Sequence, residues 1–137
     1  MVTGIRRKAR ELALQSLYQS EMGGPAADQA LDLLTENFQS NKQALPYARE
    51  LLAGINHNRT QLDELIQAQA KNWRLERMSI IDLNIMRICV FEMRFTKEVP
   101  PSVAINEGLE IAKRYSSDDS ASFINGILDS ISKMDRE

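Results

Sequence analysis

The chain has 137 residues, a length that suits a single domain. Hydrophobic residues make up 43% of it and charged residues 26%, which excludes a wholly disordered chain. With 17 Lys and Arg against 19 Asp and Glu, the formal net charge is −2. This balance excludes a generally basic nucleic-acid coat protein but leaves room for a local basic patch.

The sequence carries no feature of a secreted or membrane protein. Its single cysteine, Cys89, excludes an internal disulfide framework and indicates a reducing compartment. The N-terminus lacks the apolar stretch of a signal peptide. The longest apolar run, over 88–91, has four residues, whereas a membrane span needs roughly 20. We therefore expect a soluble, cytoplasmic protein with no membrane partner.

Apolar residues recur at three- and four-residue spacing through the first half of the chain, which is typical of amphipathic helices. Such helices are predicted over residues 5–21, about 28–40 and about 45–55, and a fourth is predicted after a cap at Asn58 or Thr60. The first should end at Gly23-Gly24-Pro25, because proline cannot continue a helix. Phe38 is expected to point inward from the second helix, and Trp73 to belong to the fourth.

The second half of the chain is predicted to hold three further helices, over 80–95, over about 102–115 and from 118 or 119 onward. The first of these has almost no polar face, which is typical of a helix packed on several sides. A strand over 88–91 is the competing interpretation, but the apolar segment is too long for one strand. Asp118 or Asp119 is expected to cap the last helix. The predicted fold is one all-α domain of about seven helices.

The sequence lacks the parts that most enzymes and metal sites need. One histidine and one cysteine cannot form a His/Cys zinc cluster. Nucleophile-elbow, Walker and dinucleotide-binding motifs are all missing. Cys89 is expected in the core and His57 in a polar loop, and no carboxylate pair stands out as catalytic. We therefore expect no enzyme activity, no metal and no cofactor.

The most distinctive feature is the basic run Arg6-Arg7-Lys8-Ala9-Arg10. Residues 1–20 hold four basic residues and one acidic residue, a local charge of +3, whereas residues 21–40 hold four acidic residues and no base. Such an asymmetry calls for an explanation. Arginine side chains pair with phosphates in a bidentate manner and stack on unpaired bases.

Helical geometry places an aromatic residue on the same helix as this run. Arg7, Glu11, Leu14 and Tyr18 share a narrow arc, away from the main apolar stripe. Tyr18 is then an exposed ring roughly 16 Å along the axis from the arginines. Cations followed by a ring suit single-stranded RNA. The alternative is an ordinary solvated face, with Tyr18 packed on a neighbouring helix.

Three segments of the sequence resemble one family, the NusB-type transcription antitermination factors. Residues 6–18 resemble the family's opening arginine-rich helix, and residues 81–93 resemble its central buried helix. The elements Pro-x-x-x-Ile-Asn-Glu, at 101–107, and Phe-x-Asn-Gly-x-Leu, at 123–128, are similar to its closing signature. The resemblance extends over essentially the whole chain.

The resemblance implies two small helical subdomains, divided near residue 75, and no catalysis. Members of this family pair with NusE, a protein that also serves in the small ribosomal subunit. The pair binds the boxA element of nascent RNA and helps RNA polymerase read through terminators, notably in ribosomal RNA operons. We therefore expect boxA RNA, NusE and the RNA polymerase antitermination complex as partners. A homodimer that buries the basic helix is a further hypothesis.

The resemblance also implies roles for individual residues. Asp82 matches a position on the NusE-facing side of the central helix, and Phe123 is either an RNA contact or a core residue. On residue type alone, Arg87 is expected to pair with Glu92 or another nearby carboxylate, and Gly126 to permit close helix approach. The implied RNA-binding residues are Arg6, Arg7, Lys8, Arg10, Tyr18, Asp119 and Phe123.

Two other functions stay open at this point. The chain could be a helical interaction module that never meets RNA, with its arginines serving only as a solvated face. It could also be a stand-alone relative of the helical domain that precedes RNA-cytosine methyltransferases. Its length leaves no space for the cofactor-binding domain that such an enzyme needs.

Overall fold

Helices account for most of residues 2–37 and 39–134, the part of the chain that the computed structural model describes. This part holds seven α-helices and no strand. They are α1 (Val2–Glu21), α2 (Ala27–Asn37), α3 (Leu45–His57), α4 (Arg59–Gln69), α5 (Ile80–Arg94), α6 (Pro101–Tyr115) and α7 (Asp118–Ser132). Two 3-10 segments lie between them, at Gln39–Ala44 and Leu75–Arg77. The predicted all-α fold is therefore confirmed.

The helices form two compact units that divide after His57. In the first unit, α1 packs against α2, α3 and the first 3-10 segment. In the second, α5 packs against α4, α6 and α7. The resemblance places a division near residue 75 instead. The structure puts α4 with the second unit, because α4 packs on α5 and α7.

Helix α5 forms the centre of the second unit. Eleven of its fifteen residues are buried, including the charged residues Asp82, Arg87 and Glu92. This matches the prediction of a helix packed on several sides. Every described helix is too short or too polar to cross a membrane.

Several helix ends differ from the predicted ones, and two of the differences concern residues that the sequence analysis names. Helix α4 ends at Gln69, and Trp73 lies beyond it in a turn, 52% exposed, so its predicted place on the apolar face of α4 is wrong. The N-cap of α7 is Ser117, whose hydroxyl accepts from the Ser120 N–H at 3.0 Å. Asp118 and Asp119 occupy the first turn, where carboxylates favour the positive end of the helix dipole. The predicted inward side chain of Phe38 lies outside the described residues.

Close helix approach is made at Gly108 rather than at Gly126. A Cβ at Gly108 would collide with the Sγ atom of Cys89 on α5, whereas a Cβ at Gly126 would meet open space. The expectation for Gly126 is therefore wrong, since this glycine faces outward from α7. Cys89 is 2% exposed and its thiol lies 3.4 Å from the Ala104 carbonyl oxygen, which confirms its place in the core.

Candidate nucleic-acid interface

Two arginines of the basic run converge on one aromatic ring. The guanidinium carbon of Arg6 lies 4.6 Å from the centroid of the Tyr47 ring, and that of Arg10 lies 6.0 Å from it. Residues 6 and 10 are one helical turn apart, so both face the same side of α1, toward α3. Such contacts with an aromatic face hold the guanidinium groups in place. Nothing in the sequence pattern singled out Tyr47, because the contact joins residues about forty positions apart.

The four cations of the run differ in exposure. Lys8 is exposed, Arg6 and Arg7 are half-buried, and Arg10 is only 3% exposed. Arg10 is thus buried against its own unit, a position that residue type alone does not predict. The cationic surface of this helix consists of Arg6, Arg7 and Lys8, which we call the basic face. A direct RNA contact by Arg10 stays a prediction.

Tyr18 is 39% exposed, as the helical arc predicts. The rest of that arc is not a solvated face, since Glu11 and Leu14 are 4% and 3% exposed. They are buried because α1 is surrounded by α2, α3 and the 3-10 segment rather than packed on one side. Tyr18 emerges only near the C-terminal end of α1, where Gln19 and Glu21 are also exposed. Its ring is therefore available to a ligand.

One of the two predicted residues of α7 lies beside Trp73, an aromatic residue that the sequence analysis assigns to the fourth helix and not to a site. Asp119 is exposed in the first turn of α7, and Phe123 is half-buried one turn later. The Phe123 ring meets that of Trp73 edge to face, with 6.3 Å between centroids and 78° between planes. Phe123 is thus neither fully core nor fully exposed. The signal that could have found Trp73 is an aromatic residue among the cations of 71–77.

Asp82 points inward, toward α7. It is 8% exposed, and its Oδ2 atom accepts from the Ser120 hydroxyl at 2.9 Å. Its backbone N–H donates to the hydroxyl of Ser79, the N-cap of α5, at 3.0 Å. Within the described residues, its Oδ1 atom is buried and has no hydrogen-bond partner. The carboxylate therefore joins α5 to α7, and its predicted contact with NusE stays a prediction.

Arg87 forms the expected ion pair with a nearby carboxylate, that of Asp63 on α4. Its Nε and Nη2 atoms donate to the two carboxylate oxygens of Asp63 at 2.8 and 3.0 Å. Its Nη1 atom donates to the Asn84 side-chain oxygen at 2.9 Å. A bidentate pair of this kind fixes α4 against α5. Arg87 thus has a structural role in joining α4 to α5.

The described residues hold no group of three His, Cys, Asp or Glu side chains that could bind a metal ion. His57 ends α3 and is exposed, so it lies in the last turn of a helix rather than in the predicted loop. What the geometry offers is a set of cations and aromatic rings, which suits nucleic-acid binding better than bond-making chemistry.

Comparison with known proteins places the fold. A model described as the NusB family matches residues 7–133. The transcription antitermination protein NusB of Desulfatibacillum aliphaticivorans is 46% identical over 128 residues, which cover 93% of this chain and 90% of that protein. The structure of T. maritima NusB has a TM-score of 0.86 and 36% identity, covering 96% of this chain and 93% of that one.

One related structure was solved as a complex. It is the crystal structure of antitermination factors NusB and NusE in complex with dsRNA, with a TM-score of 0.81 and 26% identity. The similarity covers 94% of this chain and 96% of that one. The family model and the relatives agree over nearly the whole length, and the chain belongs to the NusB family.

Proposed function

We propose that this protein is an RNA-binding transcription antitermination factor that pairs with NusE on boxA RNA and promotes read-through by RNA polymerase, notably in ribosomal RNA operons. It acts in the cytoplasm by binding alone, with no catalytic step and no cofactor. The observation that carries the proposal is the basic face of α1 with Arg6 held on the Tyr47 ring. Family membership supports it, and so does the related complex of NusB, NusE and dsRNA.

The mechanism is tethering. Arg6, Arg7 and Lys8 bind phosphates, which supplies affinity that is independent of base sequence. Aromatic rings at Tyr18 and Phe123 contact unpaired bases, which supplies sequence preference. Because Arg6 is already held by Tyr47, less side-chain entropy is lost when it meets a phosphate.

Fluorescence anisotropy tests the proposal with a short boxA RNA and a scrambled RNA of equal length. Each is titrated with and without NusE, at several salt concentrations. We expect tighter binding to boxA, a further gain with NusE, and affinity that falls with salt. Equal affinity for both RNAs, with no effect of NusE, would contradict the proposal. Light scattering on the same samples reports whether the free protein is a monomer or a homodimer.

Paired charge variants test the basic face. Replacing Arg7 and Lys8 with Ala should make the salt slope shallower by about 1.4, since each lost phosphate contact on a single strand removes about 0.7. The matched control replaces the exposed residues Lys113 and Lys133 with Ala, an equal change of charge elsewhere. An equal change of the salt slope in both variants would show that RNA binding depends on overall charge and not on the basic face.

A further inference from the structure

An exposed tryptophan stands on the turn between α4 and the second 3-10 segment. Trp73 is 52% exposed, although burial of such a ring would stabilise the fold. The Phe123 ring of α7 packs edge to face with the Trp73 ring, with 6.3 Å between the two centroids. A large exposed ring that packs on another ring along one side suits a binding surface.

The turn that carries Trp73 is fixed by one side chain. The Nε2 atom of Gln67 donates to the carbonyl oxygens of Ala70 and Trp73, at 3.1 and 2.6 Å. Its Oε1 atom accepts from the Leu75 N–H at 3.1 Å. The Trp73 N–H in turn donates to the Ala70 carbonyl oxygen at 3.1 Å. The ring is therefore carried by a turn that is already ordered. Binding then loses little conformational entropy in this turn.

Cations flank this ring along the chain. Lys71, Arg74 and Arg77 are all exposed, and Glu76 is the one acidic residue in 71–77, so this segment has a net charge of +2. A ring among cations is the arrangement by which proteins hold single-stranded nucleic acid: the ring stacks on a base and the cations bind the flanking phosphates. A protein partner with an apolar surface would leave those charges unexplained.

We propose that Trp73 is a base-stacking residue of a second RNA contact, in which Phe123 supports the ring and Lys71 and Arg74 bind phosphates. The inference rests on the proposed function and extends it by assigning a site to the turn at 70–75. Phe123 then supports the Trp73 ring in addition to its own base contact. The ligand is an unpaired base in RNA.

The chain contains a single tryptophan, so Trp73 reports on its own site. Titration with boxA RNA should quench the tryptophan fluorescence, with the same midpoint as the anisotropy change. A boxA RNA with abasic sites keeps the phosphates but not the stacking, so we expect it to bind with little quenching. Binding of intact RNA with no change in fluorescence would overturn the inference.

Substitution gives an independent test. Trp73→Ala should weaken boxA binding by roughly 10-fold, since stacking on one base has about that effect, while Trp73→Phe should stay within about threefold of the parent. Leu33→Ala is the matched control, because Leu33 on α2 is equally exposed, at 52%, and is not one of the proposed RNA-binding residues. Circular dichroism verifies that each variant keeps its helices.

The outcomes separate the inference from the proposed function. If the parent prefers boxA and Trp73→Ala binds it equally well, the inference fails and the proposed function stands. If Trp73→Ala keeps its RNA affinity but loses affinity for NusE, the ring contacts protein and the inference fails. If the parent itself shows no preference for boxA, with or without NusE, the proposed function fails first.

Discussion

The Ser120 hydroxyl donates to the Asp82 carboxylate at 2.9 Å and so joins the first turns of α7 and α5. The same hydroxyl accepts from the Ser116 hydroxyl at 2.8 Å, and the Ser120 N–H donates to the cap residue Ser117. Asp119 lies next to this network along the chain. The start of α7, where RNA contacts are proposed, is therefore positioned from α5.

Ser120→Ala should lower the free energy of unfolding by about 1 to 2 kcal/mol, because the buried Asp82 carboxylate would lose the hydrogen bond that it accepts at Oδ2. Urea denaturation followed by circular dichroism measures this change. Ser122→Ala on the same helix is the control, since Ser122 is exposed and should shift stability by no more than about 0.5 kcal/mol. Equal stability of the two variants would show that the bond contributes nothing.

Replacement of Arg87 should lower the free energy of unfolding by more than Ser120→Ala does. Arg87→Met removes the bidentate ion pair with Asp63 and the buried hydrogen bond to the Asn84 side-chain oxygen. We therefore expect the free energy of unfolding to fall by about 3 kcal/mol. The control is Lys113→Met, which breaks the exposed pair between Lys113 and Glu110 and should cost less than about 0.5 kcal/mol. A stable Arg87→Met variant would mean that methionine packing compensates for the lost ion pair.

Local patterns predicted most of the helices, and tertiary contacts account for what they missed. The apolar spacing in 80–95 and 102–115 reports directly on α5 and α6, because helix formation depends on neighbours three and four residues away. The ring of Tyr47 under Arg6 and the ring of Phe123 beside Trp73 join distant parts of the chain. Periodicity identifies the face that a residue lies on but not the side chain that it meets there.

The same limit explains two residues whose surroundings differ from what residue type and apolar pattern suggest. Arginine is usually a surface residue, yet Arg10 is buried beside the Tyr47 ring. The apolar pattern places Trp73 on α4, whereas the helix ends at Gln69. A pattern of residue types does not show the turn that follows, in which the Gln67 side chain donates to the Trp73 carbonyl oxygen. Both differences arise from side-chain contacts.

Substitution by alanine should change the free energy of unfolding in opposite directions at two glycines. Gly126→Ala places a methyl group in open space on α7, so it should raise the free energy of unfolding by up to about 1 kcal/mol through helix propensity. Gly108→Ala forces a methyl group against the Cys89 thiol between α5 and α6, so it should lower stability by about 1 to 3 kcal/mol. Urea denaturation of the pair measures both. Equal shifts of one sign would contradict the packing described for Gly108.

The Tyr47 ring should matter for RNA through Arg6. Tyr47→Leu removes the aromatic face under the guanidinium group, so we expect boxA affinity to fall by about fivefold, whereas Tyr47→Phe keeps the face and should bind almost as the parent does. Fluorescence anisotropy measures each affinity. In an Arg6→Ala background the effect of Tyr47→Leu should shrink, because the two residues act as a pair. An undiminished effect there would mean that Tyr47 acts through Arg10 or through the packing of α3 on α1.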